Sequence, residues 1–153
     1  MHPLSEAFLF LSARTQLVND FIIPGLESGS VVICDRFFDS TLAYQGYGRG
    51  LNLDMLRKIN SFAIDGIFPD LTILLDLPTT VSVRRRSNIN SDRFESEITR
   101  LQSVSGDNFH EKVRNGFLEL SKDDPSRWLV IDASVKKKVI ADQIFKKVLE
   151  VIK

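Results

Sequence analysis

The chain has 153 residues, of which 43% are hydrophobic and 26% are charged, and its 20 Lys and Arg residues balance 20 Asp and Glu residues. This composition is typical of one globular domain over 1–153, and it excludes a disordered chain, which needs low hydrophobicity and high net charge. Zero net charge also argues against binding nucleic acid through a global basic field.

The sequence also argues against a disulfide-bonded, a zinc-binding, a membrane-spanning and a secreted protein. Cys34 is the only cysteine, so no internal disulfide can form, and His2 and His110 are too far apart in the sequence to suggest a zinc site. No apolar run approaches the ~20 residues of a membrane span. The amino terminus has no basic region followed by an apolar core, as a signal peptide would. We therefore expect a cytoplasmic protein with no membrane partner.

The first predicted element is a helix over residues 4–28. Ser5 is expected to cap it, Pro24 and Gly25 to kink or end it, and Gly29 to close it. Its apolar residues recur at helical spacing at positions 7, 10, 11, 17, 18, 21 and 22.

Three short apolar runs then predict strands, at 31–35, 71–76 and 128–132, and Cys34 is interpreted as a small buried residue of the first strand. Further helices are predicted at 53–65 (opened by Asp54), from Pro78 to about 86, around 109–120 and at 135–153. Strands that alternate with helices indicate an α/β fold with a mainly parallel sheet. Ligands of such sheets lie beyond the carboxyl ends of the strands, so chemistry is expected just after Asp35, Asp76 and Asp132.

The segment 35–50 carries the densest set of chemical groups. An apolar strand that ends in Asp35 is the pattern of a Walker B element, whose carboxylate helps to hold magnesium on nucleotide phosphates. Arg36 is suited to bind a phosphate bidentately. The alternative for these two residues is an ordinary ion pair at a strand end.

The rest of this segment offers hydrogen bonds from Ser40, Thr41 and Gln45 and an aromatic ring from Tyr44. Glycines at 46, 48 and 50 would let the backbone approach a ligand closely. Taken together, the segment indicates a phosphate and nucleotide site more strongly than any single residue does.

Two further groups fit the same chemistry. Arginines at 84–86, followed by Asp92-Arg93-Phe94-Glu95, are suited to a loop that closes over phosphates, although a solvated basic helix end explains 84–86 equally well. Phe10 and Arg14 are four residues apart and share a helix face, where a ring and a guanidinium would hold a planar base. Their alternative is a core Phe beside a surface Arg.

In these motifs, and in their order, the chain resembles the thymidylate kinases. The resemblance spans nearly the whole chain, since it also includes Pro69-Asp70-Leu71-Thr72, Leu75-Asp76, Phe109 with Val113-Arg114, and Ile131-Asp132-Ala133. It implies a fold of the nucleoside-monophosphate-kinase type and the ATP-dependent phosphorylation of dTMP to dTDP in dTTP synthesis, with Mg²⁺ as cofactor. It also implies a homodimer formed through the first helix.

The resemblance implies a role for each candidate residue. Phe10 would stack on thymine, Arg14 would hydrogen-bond the edge of the base, Arg36 would hold the dTMP phosphate, and Asp35 would support magnesium and Arg36. The nucleoside pocket would be lined by Ser40, Thr41, Tyr44 and Gln45. The lid would span about 84–95, with Arg85, Arg86 or Arg93 on the phosphates and Glu95 on the substrate.

One departure from the family is large. The family begins with a strand and a glycine-rich loop that ends in Gly-Lys-Ser/Thr and cradles the ATP phosphates, and this chain contains no such motif. We therefore expect the chain to correspond to the carboxyl-terminal part of a thymidylate kinase and to be inactive or very weak alone. Two alternatives stay open: a non-catalytic nucleotide-binding or interaction module, and a relative that acts on deoxynucleosides.

Overall fold

A computed structural model describes residues 1–82 and 108–152 of the chain. The chain divides into two compact units, Met1–Phe68 and Pro69–Lys153. The first is helical and the second contains a parallel sheet. The α/β class is thus confirmed, whereas the single domain over 1–153 stays a prediction. The predicted lid at 84–95 lies outside the described residues.

The first unit consists of helical segments joined by short loops. In chain order they are α1 (Pro3–Leu17), the π-helical segment π1 (Val18–Ile22), α2 (Ile23–Glu27), α3 (Phe38–Thr41), the π-helical segment π2 (Leu42–Gly48) and α4 (Leu53–Ala63).

The predicted long helix is confirmed as the continuous run α1–π1–α2. Because Pro24 has no N–H, it cannot make an ordinary helical bond, and the turn before it widens so that the Ile23 N–H reaches the Val18 carbonyl. The helix ends as predicted at Gly29, whose φ of 77° suits glycine. The cap at the other end differs from the prediction, because His2 Nδ1, and not Ser5, accepts a hydrogen bond from the Leu4 N–H at 3.2 Å.

This helix carries apolar residues around much of its circumference, and only one of its faces is buried. The buried residues are Ala7, Leu11, Arg14, Val18 and Ile22, which recur every three or four residues. Outside this face, Phe8, Leu9, Phe10 and Phe21 are exposed. Exposed apolar residues that lie close together are typical of an interaction surface.

The predicted strand at 31–35 is wrong. These residues are not in a strand, and Ile33 is 93% exposed. A strand needs a neighbour for its backbone N–H and C=O groups, and among the described residues the one ladder joins two later segments. The prediction that Cys34 is a buried strand residue is wrong for the same reason, because Cys34 is only partly buried.

Helix α4 confirms the prediction at 53–65, but Asn52 caps it in place of Asp54. The Asn52 Oδ1 atom accepts a hydrogen bond from the Met55 N–H at 2.8 Å, which satisfies one free donor of the first turn. The buried face of α4 consists of Leu56, Asn60 and Ala63. Asn60 is therefore a polar residue in an otherwise apolar stripe.

The second unit has two parallel strands, β1 (Thr72–Asp76) and β2 (Trp128–Asp132), which confirm the second and third predicted strands. They pair in register from Thr72 opposite Trp128 to Asp76 opposite Asp132. The helices of this unit are α5 (Phe109–Asp123) and α6 (Lys137–Val151), and residues 79–82 are also helical.

Helices α5 and α6 follow the predicted periodicity. In α5, Phe109, Val113 and Leu120 are buried. In α6, Ile140, Ile144 and Val148 are only half-buried. No helix within 1–82 or 108–152 combines the length and the apolar character that crossing a bilayer requires.

Candidate functional site

Most of the predicted site residues fall within the first unit. Phe10 and Arg14 lie on α1, Ser40 and Thr41 on α3, and Tyr44 and Gln45 on π2, while Asp35 and Arg36 form a bend before α3. The predicted lid residues Arg85, Arg86, Arg93 and Glu95 lie outside the described residues.

Arg14 is the centre of a buried hydrogen-bond network. Its Nη1 donates to Thr41 Oγ1 at 2.7 Å and to Asn60 Oδ1 at 3.2 Å, and its Nη2 donates to the Phe37 carbonyl at 3.2 Å. The Phe37 ring lies 5.8 Å from the guanidinium carbon. Arg14 thus joins α1 to α4, to the last residue of α3 and to the residue that precedes α3.

The electrostatics of Arg14 are set by burial. Burial lowers the pKa of the Arg14 guanidinium, while Cys34 and Asp39 act in the opposite direction. All three hydrogen-bond acceptors are neutral. A guanidinium has five N–H groups, and here two of them, Nε–H and one on Nη2, make no hydrogen bond within the described residues. The arrangement can therefore donate to one further acceptor, such as a carbonyl oxygen.

Phe10 lies one helical turn before Arg14 on α1 and is 47% exposed. The alternative of a core Phe beside a surface Arg is thus reversed: the arginine is buried and the ring is accessible. A flat accessible ring next to buried N–H donors is suited to a planar heterocycle.

Arg36 has an unusual backbone and an aromatic partner. Its φ of 65° lies in the left-handed region, which residues other than glycine adopt at a cost. Its guanidinium carbon lies 5.2 Å from the centre of the Tyr44 ring. Arg36 is exposed, so its N–H groups can reach an anion.

Asp35, the predicted metal ligand, is exposed beside Arg36. Within 1–82 and 108–152 no three His, Cys, Asp or Glu side chains gather as a metal cage would require. A single exposed carboxylate such as that of Asp35 is the kind of ligand that magnesium takes, since this ion usually binds through one or two carboxylates and completes its shell with water and substrate phosphates.

Gln45, which the resemblance predicts to line a nucleoside pocket, makes a side-chain hydrogen bond within the first unit. It is buried, and its Nε2 donates to Glu6 Oε1 at 2.8 Å, while Arg49 forms an ion pair with Glu6 at 3.2 Å. The Gln45 amide therefore helps to join π2 to the first turn of α1.

Gly46, Gly48 and Gly50 were predicted to let the backbone approach a ligand. At Gly46, the space that a side chain would occupy is filled by the side chain of Leu53. A Cβ on Gly46 would overlap Leu53 Cδ2 and lie 3.3 Å from Leu56 Cδ1. Gly50 has a φ of 77° and serves the turn into α4. Gly46 thus allows π2 to pack closely against α4.

In the second unit, the carboxyl edge of the sheet brings Asp76 and Asp132 together as register partners. Arg114 Nε and Nη2 donate to the two carboxylate oxygens of Asp76 at 2.7 and 2.8 Å. Arg114 lowers the pKa of Asp76, whereas partial burial and the neighbouring Asp132 raise it. Of the three aspartates after which chemistry is expected, Asp76 and Asp132 end paired strands, and Asp35 is not on a strand.

Sequence reasoning missed Asn60, Glu6 and Arg49 as parts of these networks. For Asn60 a signal exists, since a polar residue at the i+4 position of an apolar stripe is expected to have a buried partner. Glu6 lies on α1 and Arg49 in the turn after π2, and neither carries such a signal.

Comparison with known proteins agrees with the resemblance. A family model described as thymidylate kinase matches residues 1–144. The thymidylate kinase of Dehalococcoides mccartyi is 44% identical over 146 residues, which are 95% of this chain and 66% of that protein. That of Kosmotoga olearia is 40% identical over 154 residues, covering 100% of this chain and 70% of the relative.

Among solved structures, the crystal structure of thymidylate kinase from Ehrlichia chaffeensis superposes with a TM-score of 0.69 at 31% sequence identity. The superposition covers 97% of this chain and 65% of that one. The chain therefore spans about two thirds of the length of these proteins.

Proposed function

The chain belongs to the thymidylate kinase family, and we propose that it acts in the ATP-dependent phosphorylation of dTMP to dTDP, a cytoplasmic step of dTTP synthesis. In this reaction a phosphate oxygen of dTMP bonds to the γ-phosphorus of ATP. The bond from that phosphorus to the bridging oxygen breaks, and ADP leaves. The observation that carries the proposal is that Arg14 is buried with two unused N–H groups, while the ring of Phe10, one helical turn earlier on α1, is accessible.

These two residues suit the base of dTMP. The Phe10 ring offers a stacking surface, and base–aromatic stacking contributes about 1–3 kcal/mol per base. The two unused N–H groups of Arg14 are donors only, so they favour a base edge with a carbonyl oxygen, as thymine has, over one with an amino group. Thr41 supports the base site through its hydrogen bond to Arg14.

Arg36, Tyr44 and Asp35 suit the phosphate end. The exposed Arg36 guanidinium would hold the dTMP phosphate while the Tyr44 ring packs against it. Bound magnesium would neutralise charge on the phosphate oxygens, and Asp35 is the residue that would hold it. The proposal also assigns Ser40 to the nucleoside pocket and assigns Arg85, Arg86, Arg93 and Glu95 to the lid.

We also propose a homodimer through the first helix. Phe8 and Phe21 are exposed on it, and Phe62 of α4 is 83% exposed. An open groove of about 350 Å³ runs between α1 and α4, lined by Phe8, Leu11, Ser12, Thr15, Ile59, Phe62 and Ala63. A two-fold interface uses the same patch on both partners, and this apolar surface is suited to one.

A second candidate function is nucleotide binding without turnover. It is favoured by the absence of a Gly-Lys-Ser/Thr sequence from these 153 residues, because phosphoryl transfer depends on positioning the ATP phosphates. For the 153 residues alone we expect dTMP binding with no measurable ATP-dependent turnover.

The test measures dTMP and thymidine binding by calorimetry and dTDP formation in a coupled assay. Tighter binding of dTMP than of thymidine supports a monophosphate site. Equal affinity for both would favour the deoxynucleoside kinase alternative, and binding of neither would overturn the proposal. Turnover near that of an ordinary kinase would support the kinase function and contradict the expected inactivity.

A further inference from the structure

Asn60 is a buried polar residue that none of the roles above uses. It is 1% exposed and lies on α4 between the buried residues Leu56 and Ala63. Burying a carboxamide in such a stripe is unfavourable unless its polar atoms are hydrogen-bonded. Its position therefore requires specific partners.

Both polar atoms of the Asn60 amide have partners close to the proposed base site. Its Oδ1 accepts a hydrogen bond from Arg14 Nη1 at 3.2 Å, and its Nδ2 donates to the Phe38 carbonyl at 3.3 Å. This pair of bonds fixes which way the amide faces, because a flipped amide would place a donor against the guanidinium. A carboxylate would keep the acceptor and lose the donor.

The hydrogen bond from Arg14 to Asn60 helps to fix the orientation of the Arg14 guanidinium. Asn60 Oδ1 and Thr41 Oγ1 together engage Nη1, and the Phe37 carbonyl engages Nη2. The plane of the guanidinium is thereby fixed, and the two unused N–H groups have a set direction. Because the acceptors are neutral, these three contacts are hydrogen bonds that orient the group and not ion pairs.

We infer that Asn60 is the positioning residue of Arg14: it orients the guanidinium so that the unused donors meet the carbonyl edge of a pyrimidine. This inference rests on the proposed function, in which Arg14 reads the base of dTMP. Asn60 itself would not touch the ligand, so its effect on binding must pass through Arg14.

The test is a double-mutant cycle on the full chain, with dTMP and dCMP affinities measured by calorimetry. We expect Asn60→Ala to weaken dTMP binding about tenfold, the scale of one hydrogen bond to a charged group, and to weaken dCMP binding less. In an Arg14→Ala background, Asn60→Ala should have no further effect on dTMP affinity. Asn60→Asp, which keeps the acceptor toward Arg14, should retain most of the preference for dTMP.

The control is Ser61→Ala at the exposed neighbouring position on α4, which should bind dTMP as the parent does. If Asn60→Ala does not fold, Asn60→Ser is measured instead, because its shorter side chain cannot reach Nη1. Equal losses from the Asn60 substitution in both Arg14 backgrounds would show a merely structural role and overturn the inference. If Arg14→Ala leaves dTMP binding unchanged, the proposed base site is wrong. If Arg14→Ala weakens binding and the Asn60 variants do not, only the inference fails.

Discussion

The Arg36 guanidinium lies 5.2 Å from the centre of the Tyr44 ring, and the Arg36 backbone has a φ of 65°. The aromatic contact holds a cation at the point where the chain bends from residue 35 into α3. A residue other than glycine in this conformation costs about 1 kcal/mol or more. The side chain of Arg36 is thus proposed to favour phosphate binding, while its backbone conformation lowers the stability of the fold.

Replacing Arg36 by glycine should therefore weaken dTMP binding without lowering the stability of the fold. Arg36→Gly should weaken dTMP binding by about 1.5–3 kcal/mol, because a charge-assisted hydrogen bond is lost. The same change should leave the free energy of unfolding unchanged or higher, since glycine adopts this φ freely. Calorimetry and chemical denaturation measure the two effects. Unchanged dTMP affinity in Arg36→Gly and Arg36→Ala would show that Arg36 is not the phosphate anchor.

Phe10→Ala should weaken the binding of dTMP and leave that of inorganic phosphate unchanged. The expected loss is about 1–3 kcal/mol, the contribution of stacking one base on one ring. Phe145→Ala is the control, because Phe145 is an exposed phenylalanine on α6, outside both the proposed base site and the proposed dimer surface. Equal losses of dTMP affinity in the two variants would contradict a specific stacking role for Phe10.

Gly46→Ala should destabilise the first unit. The added Cβ would overlap the Leu53 side chain, and overpacking of this kind costs about 1–3 kcal/mol. Combining it with Leu53→Ala should give a smaller loss than the sum of the two single changes, because the overlap is then removed. Thermal unfolding monitored by circular dichroism measures this, and strict additivity would argue against the contact.

The Arg114–Asp76 ion pair should make stability depend on pH. Arg114 lowers the pKa of Asp76 in the folded state, so the stabilisation is present above the pKa of the unfolded state and is lost as the pH falls through the folded pKa. We expect Arg114→Gln to lower the Tm at pH 7, and the difference from the parent to shrink as the pH falls below about 3.9.

The control for this pair is Lys122→Gln, which removes an exposed ion pair with Glu119 and should change the Tm little at any pH. A Tm difference for Arg114→Gln that stays constant down to pH 2 would show that packing of the arginine, and not its charge, stabilises the fold.

The exposed apolar face of the first helix should mediate a homodimer. Light scattering at several concentrations should give a dimer for the parent chain and a monomer for Phe21→Asp, because a buried carboxylate would oppose association. A parent chain that is monomeric at high micromolar concentration would contradict the prediction. A broad distribution that grows with time would instead point to aggregation through the exposed apolar residues Val31 and Ile33.

Local patterns in the sequence were sufficient to predict most elements. Helical spacing of apolar residues predicted the first helix and α4 to within a few residues, and two short apolar runs predicted β1 and β2. These elements are decided by residues close together in the chain, through periodicity, Pro24 and the turn at Gly29. The same local motifs carried the resemblance to the family that the comparisons confirm.

Only the tertiary structure decided which groups meet. The run at 31–35 has the composition of β1 but forms no strand, because a strand depends on a pairing partner elsewhere in the chain. Likewise, Gln45 has Glu6 as its partner and Arg14 has Asn60, across separations of 39 and 46 residues. The sequence by itself determined where the helices and β1 and β2 lie, while the burial of Arg14 and the orientation of its free N–H groups follow from packing between α1, α3 and α4.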